Sequence, residues 1–224
     1  MRDTLIELFD REFVESQEAL GMHIIGQFRD LDDPDRFVWL RGFPDMARRA
    51  EALKAFYGGL VWKTHREAAN ATMIDSDNVL LLRPACADSS FQLDTSIRST
   101  PGMSNSSEGL VVTTIYYFNA PVSVTFLDFF ERELKPALTE IGAPILAYFV
   151  TENSANTFPA LPVREGEQVF VWFSRFPSWA KYEAVATAFA QSAGLAGELN
   201  SYLKGPPEVL KLSPTARSRL RAIS

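Results

Sequence analysis

The chain carries the same eleven-residue pattern twice. Phe37-Val38-Trp39-Leu40-Arg41-Gly42-Phe43-Pro44-Asp45-Met46-Ala47 returns 133 residues later as Phe170-Val171-Trp172-Phe173-Ser174-Arg175-Phe176-Pro177-Ser178-Trp179-Ala180, with six of the eleven positions identical. Each copy reads as a β-branched and aromatic strand, a proline that ends its ladder, and an Asp or Ser placed as a helix N-cap. A second pair confirms the pattern. Thr4–Gly21 and Thr125–Gly142, at an offset of 121, share a Thr, a Phe, an Arg, a Glu and the closing Gly. Two such pairs at similar offsets indicate a tandem duplication, so both halves have to fold alike.

Taken in order, Thr4 to Leu20 is an amphipathic helix with Leu5, Leu8, Phe9 and Phe13 on one stripe. Thr4 and Glu7 have capping-box spacing, and Gly21 suits a left-handed C-terminal position. Strands follow at about residues 22–29 and 36–43, joined by an acidic turn into an antiparallel hairpin. Asp45 opens a helix to Tyr57, Gly58-Gly59 interrupts it, and residues 60–73 resume it. A short strand over 79–82 is expected to stop before Pro84. The second half begins with the strongest strand signal, Leu110 to Phe118, and continues with a helix over 123–141 that contains Pro136 and should kink after Lys135. Strands over 145–151 and 168–176, helical pieces over 178–191 and 195–204, and a strand over 208–212 complete it.

The second half therefore reads β-α-β-β-α-β, the ferredoxin-like order, and the first half reads α-β-β-α-β. The expected class is α+β: two tandem ferredoxin-like (βαββαβ) repeats forming a pseudo-dimeric α/β barrel, with the first strand of repeat one missing from this chain. The expected boundaries are an N-terminal repeat at 1–84, a linker at 85–109, a C-terminal repeat at 110–213 and a tail at 214–224. The linker is rich in Ser, Thr, Asp and Gly and is read as mobile around Ser99–Glu108, with Phe91, Leu93 and Ile97 tacking part of it to the surface. The tail from Ser213 onward is read as frayed. Duplication implies an ancestral first strand for both halves, so the sequence favours a start upstream of Met1. The alternative is an open strand edge that invites pairing with another copy, a homo-oligomer.

Composition closes several doors. At 46% hydrophobic and 12% aromatic residues the chain can build packed cores. A formal net charge of −6 argues against nucleic acid as the main partner. No apolar run approaches the roughly 18 residues of a membrane span. The N-terminus lacks an apolar signal segment, and the single cysteine, Cys86, allows no intrachain disulfide. A cytoplasmic protein is the expectation.

The glycine-ended first helix, Ile24-Ile25-Gly26-Gln27-Phe28 on the next strand, Phe37-Val38-Trp39-Leu40, the helix after Pro44, and Leu80-Leu81-Leu82-Arg83-Pro84 resemble the NIPSNAP family. The resemblance spans nearly the whole chain apart from linker and tail. It implies the dimeric α/β-barrel superfamily, in which two ferredoxin-like units join their sheets around a central cavity with helices outside. It carries no agreed reaction and no residue roles.

Candidate ligand-binding residues come from period-two parity. Phe37, Trp39 and Arg41 share one strand face, opposite Val38 and Leu40; Phe170, Trp172 and Ser174 share another. If the aliphatic side packs on helices, Trp39, Arg41 and Trp172 face the barrel interior with some of Tyr116, Tyr117 and Tyr148. Such a lining suits a flat or amphipathic molecule bearing an anionic group. The blander reading is that both tryptophans simply fill the barrel. His65, among Trp62, Lys63, Arg66 and Glu67, joins the ligand-binding set; His23 reads as structural, its counterpart being Pro144. No catalytic residue is assigned. Cys86 has no Cys or His pattern beside it and is not read as catalytic. No metal or cofactor is expected, because Asp32, Asp33 and Asp35 lack the alternation of a calcium loop and Gly58-Gly59 lacks phosphate-loop spacing. Arg48-Arg49 reads as an exposed helix face.

Three functions follow. The first is a NIPSNAP-like protein holding a small aromatic or amphipathic ligand in the barrel. The second is a cofactor-independent monooxygenase or isomerase with Trp39, Trp172, Arg41 and His65 around its substrate. The third is a non-catalytic structural or assembly module. A void above roughly 300 Å³ lined by Arg41 and the tryptophans separates the first two from the third.

Overall fold

The amphipathic segments at the two ends of the 121-residue offset fold in the same unusual way. In the computed structural model, which describes residues 1–93, 98, 100 and 109–221, the first is α1 (Arg2–Leu8), a π-helical turn (Phe9–Phe13) and α2 (Val14–Glu18). The second is α5 (Val124–Phe129), a π-helical turn (Phe130–Leu134) and α6 (Lys135–Glu140). A π turn rotates the stripe that follows it, so Phe9, Phe13, Phe130 and Leu134 all reach the core. Pro136 sits in the first turn of α6, where its missing N–H costs little. The proline is not the cause of the π turn, since the first half makes one without it. Both segments end on glycine at positive φ, 83° at Gly21 and 98° at Gly142. The expected Thr4 cap is not used: α1 starts at Arg2 with no side-chain cap, whereas Asp45, Ser123 and Ser178 each accept a helix N–H.

β1 (His23–Asp30), β2 (Phe37–Gly42), β3 (Leu82–Pro84), β4 (Leu110–Phe118), β5 (Ile145–Thr151), β6 (Gln168–Phe176) and β7 (Glu208–Pro214) form one antiparallel sheet in the order β2-β1-β7-β4-β6-β5-β3. Its central four strands are the second half, with the first strand between the fourth and the third, as in a split βαβ unit. The first half then attaches at both ends. Its first strand, β1, pairs with β7, and its last, β3, pairs with β5. The registers correspond: Phe28 faces Pro214 and Phe149 faces Pro84. This exposes a third internal match, Leu80, Leu82 and Pro84 with Leu210, Leu212 and Pro214, at an offset of 130. Both hairpins also carry the same irregularity, between Ile24 and Gly26 and between Ile145 and Ala147. β3 runs Leu82–Pro84 rather than 79–82, because Pro84 lies on an edge where no ladder N–H is demanded of it. β2 and β3 are the sheet's two edges.

α3 (Met46–Gly58), α4 (Leu60–Asn70), α7 (Trp179–Ala190) and α8 (Ala193–Tyr202) complete the helical layer. Its apolar contacts separate into one cluster per half. Leu5, Phe9, Phe13, Leu53 and Phe56 pack with Phe37 and Trp39 in the first. Phe126, Phe129, Phe130 and Leu134 pack with Phe170 and Trp172 in the second. The opposite face of the sheet forms a third cluster from Phe28, Val111, Ile115, Val171, Phe173 and Leu212, joined by Val38 and Leu40.

This reverses the expected choice of faces. The parity is right, but Trp39 and Trp172 lie under the helices and the aliphatic side faces inward. The helices bring Phe9, Phe13, Phe126 and Phe130, and these rings pack with Phe37, Trp39, Phe170 and Trp172 on the facing side of the sheet. Phe91 also enters the inner face, its ring 5.3 Å from Phe149 and 4.9 Å from Phe173, and Leu93 and Leu220 join it.

The start of the linker and the tail, the latter read as frayed, are both packed. Residues 85–89 run along β5, with Ser89 buried, so the linker begins as structure; Ile97 and Ser99–Glu108 fall outside the described residues. The tail over 215–221 lies on β1: the Thr215 N–H donates to the Gln27 carbonyl at 2.8 Å and the Leu220 N–H to the Ile25 carbonyl at 3.0 Å. Arg49, read as exposed, is buried and donates to Asn156 at 3.0 Å and Thr157 at 3.3 Å, pinning the 152–167 loop onto α3. Phe158 of that loop stacks on Tyr57.

Candidate functional site

The six residues expected to line a ligand do not share a cavity. Trp39 packs against Phe9 at 5.7 Å between centroids, and Trp172 against Tyr116, on separate helix-facing clusters. Arg41 donates to Gln17 Oε1 at 3.1 Å under the first helix. His65 Nε2 lies 3.4 Å from Glu12 Oε2, and its ring is edge-on to Phe13. Tyr117 is on the other sheet face, donating to Glu208 at 2.5 Å and accepting from Arg164 at 3.1 Å. Tyr148, of the six, lines a depression.

That depression, about 430 Å³, lies on the helix side of the sheet between α5–α6, β5 and the segment after β3. Its placement follows from the local folding. The π turn presents Glu131 and, one turn on, Lys135 on the side of the helix that overlooks β5. β5 alternates, so Tyr148 points to the helices while Phe149 points inward. Pro84 ends β3, and the chain then folds back across the end of Tyr148, where Ser89 Oγ accepts from the Cys86 N–H at 3.1 Å.

Four side chains join at its floor. The Tyr148 hydroxyl donates to Glu131 Oε1. Lys135 Nζ donates to Glu131 Oε2 at 3.0 Å, approaches the phenol oxygen at 3.5 Å and stands 4.9 Å above the ring. The Cys86 sulfur is 3.2 Å from the same phenol oxygen. With the phenol proton committed to Glu131, the thiol is the donor in that last contact. Burial, then the bonds to Cys86 and Glu131, push the Tyr148 phenol well above its ordinary value, so it serves as a fixed donor rather than a base. A bond from a hydroxyl to a carboxylate is worth about 1.5–3 kcal/mol, enough to hold the ring and carboxylate in one geometry.

The rim is mixed. Asp88 and Asp128 are exposed carboxylates, while Val124, 74% exposed, and Leu127 supply an apolar wall. The arrangement offers one stacked phenol edge, one thiol and a carboxylate held by its own lysine. Among the described residues no group of three or more His, Cys, Asp or Glu side chains is placed to hold a metal ion. A second depression of about 320 Å³, between Leu20, Pro44 and α3, carries only the exposed Arg48–Glu51 pair.

Glu131 and Lys135 were missed in the sequence although their i, i+4 spacing marks a helix-face pair. Cys86 has no local signal at all. It reaches Tyr148 only because β3 pairs with β5, a contact across 62 residues.

Compared with protein-family models and with curated proteins, the chain matches none. Among solved structures it is similar to an anthrone oxidase-like protein, with 14% identity over 100% of this chain and 92% of that one and a TM-score of 0.49. It is also similar to a monooxygenase of Streptomyces coelicolor in complex with nanaomycin D, with 18% identity over 49% of this chain and 90% of that one and a TM-score of 0.34. No helix among the described residues is long and apolar enough to cross a membrane.

Proposed function

We propose that this chain is a tandemly duplicated, pseudo-dimeric α/β barrel of NIPSNAP-like type, with repeats at 1–84 and 110–213, that binds a small, partly apolar molecule in the depression over Tyr148. Three internal sequence matches, paired π turns and paired strand irregularities support the duplication. The observation that carries the binding reading is the Cys86–Tyr148–Glu131–Lys135 network on the floor of a 430 Å³ depression. A buried phenol and a paired carboxylate are rigid, satisfied groups, and they stand beside apolar surface left open to solvent. The inner face of the sheet is filled with aliphatic and aromatic side chains, which makes the barrel the scaffold of the site rather than its container. Trp39, Arg41, Trp172 and His65 share no opening through which a substrate would meet all four.

The lone thiol reports occupancy. A library of small aromatic and amphipathic compounds is screened for slowing alkylation of Cys86, read by intact mass. Compounds that protect the wild-type chain are expected to lose their effect in Leu127→Trp, which fills the apolar wall. Protection that persists unchanged in Leu127→Trp, or a library without a protecting compound, would refute the site.

A further inference from the structure

In the second half, β4 lies between β6 and β7 and bonds to both. On the tandem reading above, β6 corresponds to β2 at the offset of 133, and β7 corresponds to residues 78–84 at the offset of 130. The registers agree: Gln27 faces Trp39 as Tyr148 faces Trp172, and Phe28 faces Val38 as Phe149 faces Val171. Among the described residues no strand stands in the first half where β4 stands in the second. β2 and β3, its two expected neighbours, are the ends of the sheet.

Both ends are less covered than their counterparts. Residues 170–174 of β6 are buried, whereas every residue of β2 is half-buried. Residues 208–211 are strand and pair with β4, whereas residues 78–81 form no strand, although the sequence expects one from 79. The Val79 and Leu81 carbonyls accept from the Arg164 and Glu152 N–H groups, both at 2.8 Å, which ties one flank of that segment to the 152–164 side. Val38, Leu40, Leu80 and Leu82 join the inner cluster, while Phe37 and Trp39 join the helix-side cluster. A strand laid between them would be apolar on both faces, as β4 is, with residues 110–116 buried.

We propose that β2 and residues 78–84 are the two walls of one slot, which takes an extended peptide strand of β4's chemistry, antiparallel to both. The registers of β4 place five rungs in it, from Gly42 and Leu82 at one end to Val38 and Asn78 at the other. Alternate residues of the strand are aliphatic, toward the inner face. At the second rung it meets Arg41, where β4 meets Ser174 through Val112. Arg41 donates to Gln17 and has further N–H groups to give, so an acidic residue suits that rung. A second copy of the chain fits less well, because its sheet ends in the same two strands and neither is free on both flanks. The inference uses the duplication and not the ligand site, so the Cys86 protection assay and the test below fail independently.

The test uses the full chain and synthetic peptides of the Leu110–Phe118 sequence with a dye-labelled polar tail. The probe carries Val112→Glu. One control carries Val112→Lys instead, and the other adds Thr113→Pro to the probe, which removes an N–H from a strand that is paired on both sides. Binding is read by dye anisotropy and located by amide hydrogen exchange. The probe is expected to bind one to one and to slow exchange at residues 37–42 and 78–82 together, leaving 168–176 unchanged. The Lys peptide should bind about threefold more weakly, and the proline peptide should lose binding. Protection of one segment alone, or of neither, overturns the proposal. Equal binding by the proline peptide overturns it as well, since the contact is then apolar adhesion without a ladder. Equal affinity of the Glu and Lys peptides overturns the register. A dimer in light scattering that protects 37–42 and resists the probe assigns the edge to a second copy and overturns the slot.

Discussion

A filled inner face has a measurable cost of emptying, and Phe173 is the place to measure it. Its side chain is 2% exposed, with its ring 4.9 Å from that of Phe91 and 5.9 Å from that of Phe149. Phe173→Ala removes the whole ring from a site whose neighbours come from β5, β6 and the segment after β3, so no single element can move to refill it. Buried Phe→Ala changes cost about 3–5 kcal/mol, with each lost aromatic pair contributing about 0.5–1.5 kcal/mol of that. Against a total stability of about 5–15 kcal/mol, such a loss is easy to resolve and leaves most of the chain folded. Phe173→Leu, which keeps most of the volume, should lose about 1–1.5 kcal/mol. Urea unfolding followed by tryptophan fluorescence gives both values, with the slope expected to stay at its wild-type value. A Phe173→Ala loss below about 1 kcal/mol would refute the reasoning, because it would mean that the ring borders solvent rather than packed neighbours.

Asp10 makes stability depend on pH. Burial, partly offset by Arg217, raises its carboxyl to about 6, above its unfolded value of 3.8, so the folded chain holds the proton more tightly. Stability is then lost as pH rises through that window, and Asp10→Asn should be more stable than wild type by about 1 kcal/mol at pH 7.5, with no advantage near pH 4 in thermal melts. Arg49→Met leaves Asn156 and Thr157 without their buried donor; a loss of about 1–3 kcal/mol and faster proteolysis within 152–167 are expected. Gly142→Ala forces a side chain into φ of 98° and should cost about 1–2 kcal/mol by chemical denaturation, as should Gly21→Ala at 83°.

Much of the architecture was legible because it was written twice. The Phe-Val-Trp repeat located β2 and β6, the glycine-ended segments located α1–α2 and α5–α6, and alternation gave the correct parity of Trp39 and Trp172. Parity names two faces but not which of them meets the helices, and that choice depends on what the helices present. Here they present Phe9, Phe13, Phe126 and Phe130, a fact that shifts the tryptophans outward. The site was less legible than the fold. Tyr148 stood among the aromatic candidates, but Cys86 meets it through strand pairing that no local pattern encodes. The tail failed for a related reason: Arg217, Ser218 and Leu220 look like a polar end of the chain until β1 is there to receive them.

The exchange of strands between the halves bears on how the molecule is made. β1 finds its inner neighbour only in β7, and the edge strand β3 finds its partner in β5, so neither half completes its hydrogen bonding from its own residues. A ribosome releases β1 long before β7 exists, and the early half must wait with an open ladder. Such distant closure favours slow acquisition of the native state, with the last strand acting as the latch. Chains halted before residue 208 should therefore clump through β1, while full-length chains escape as soon as the ladder shuts.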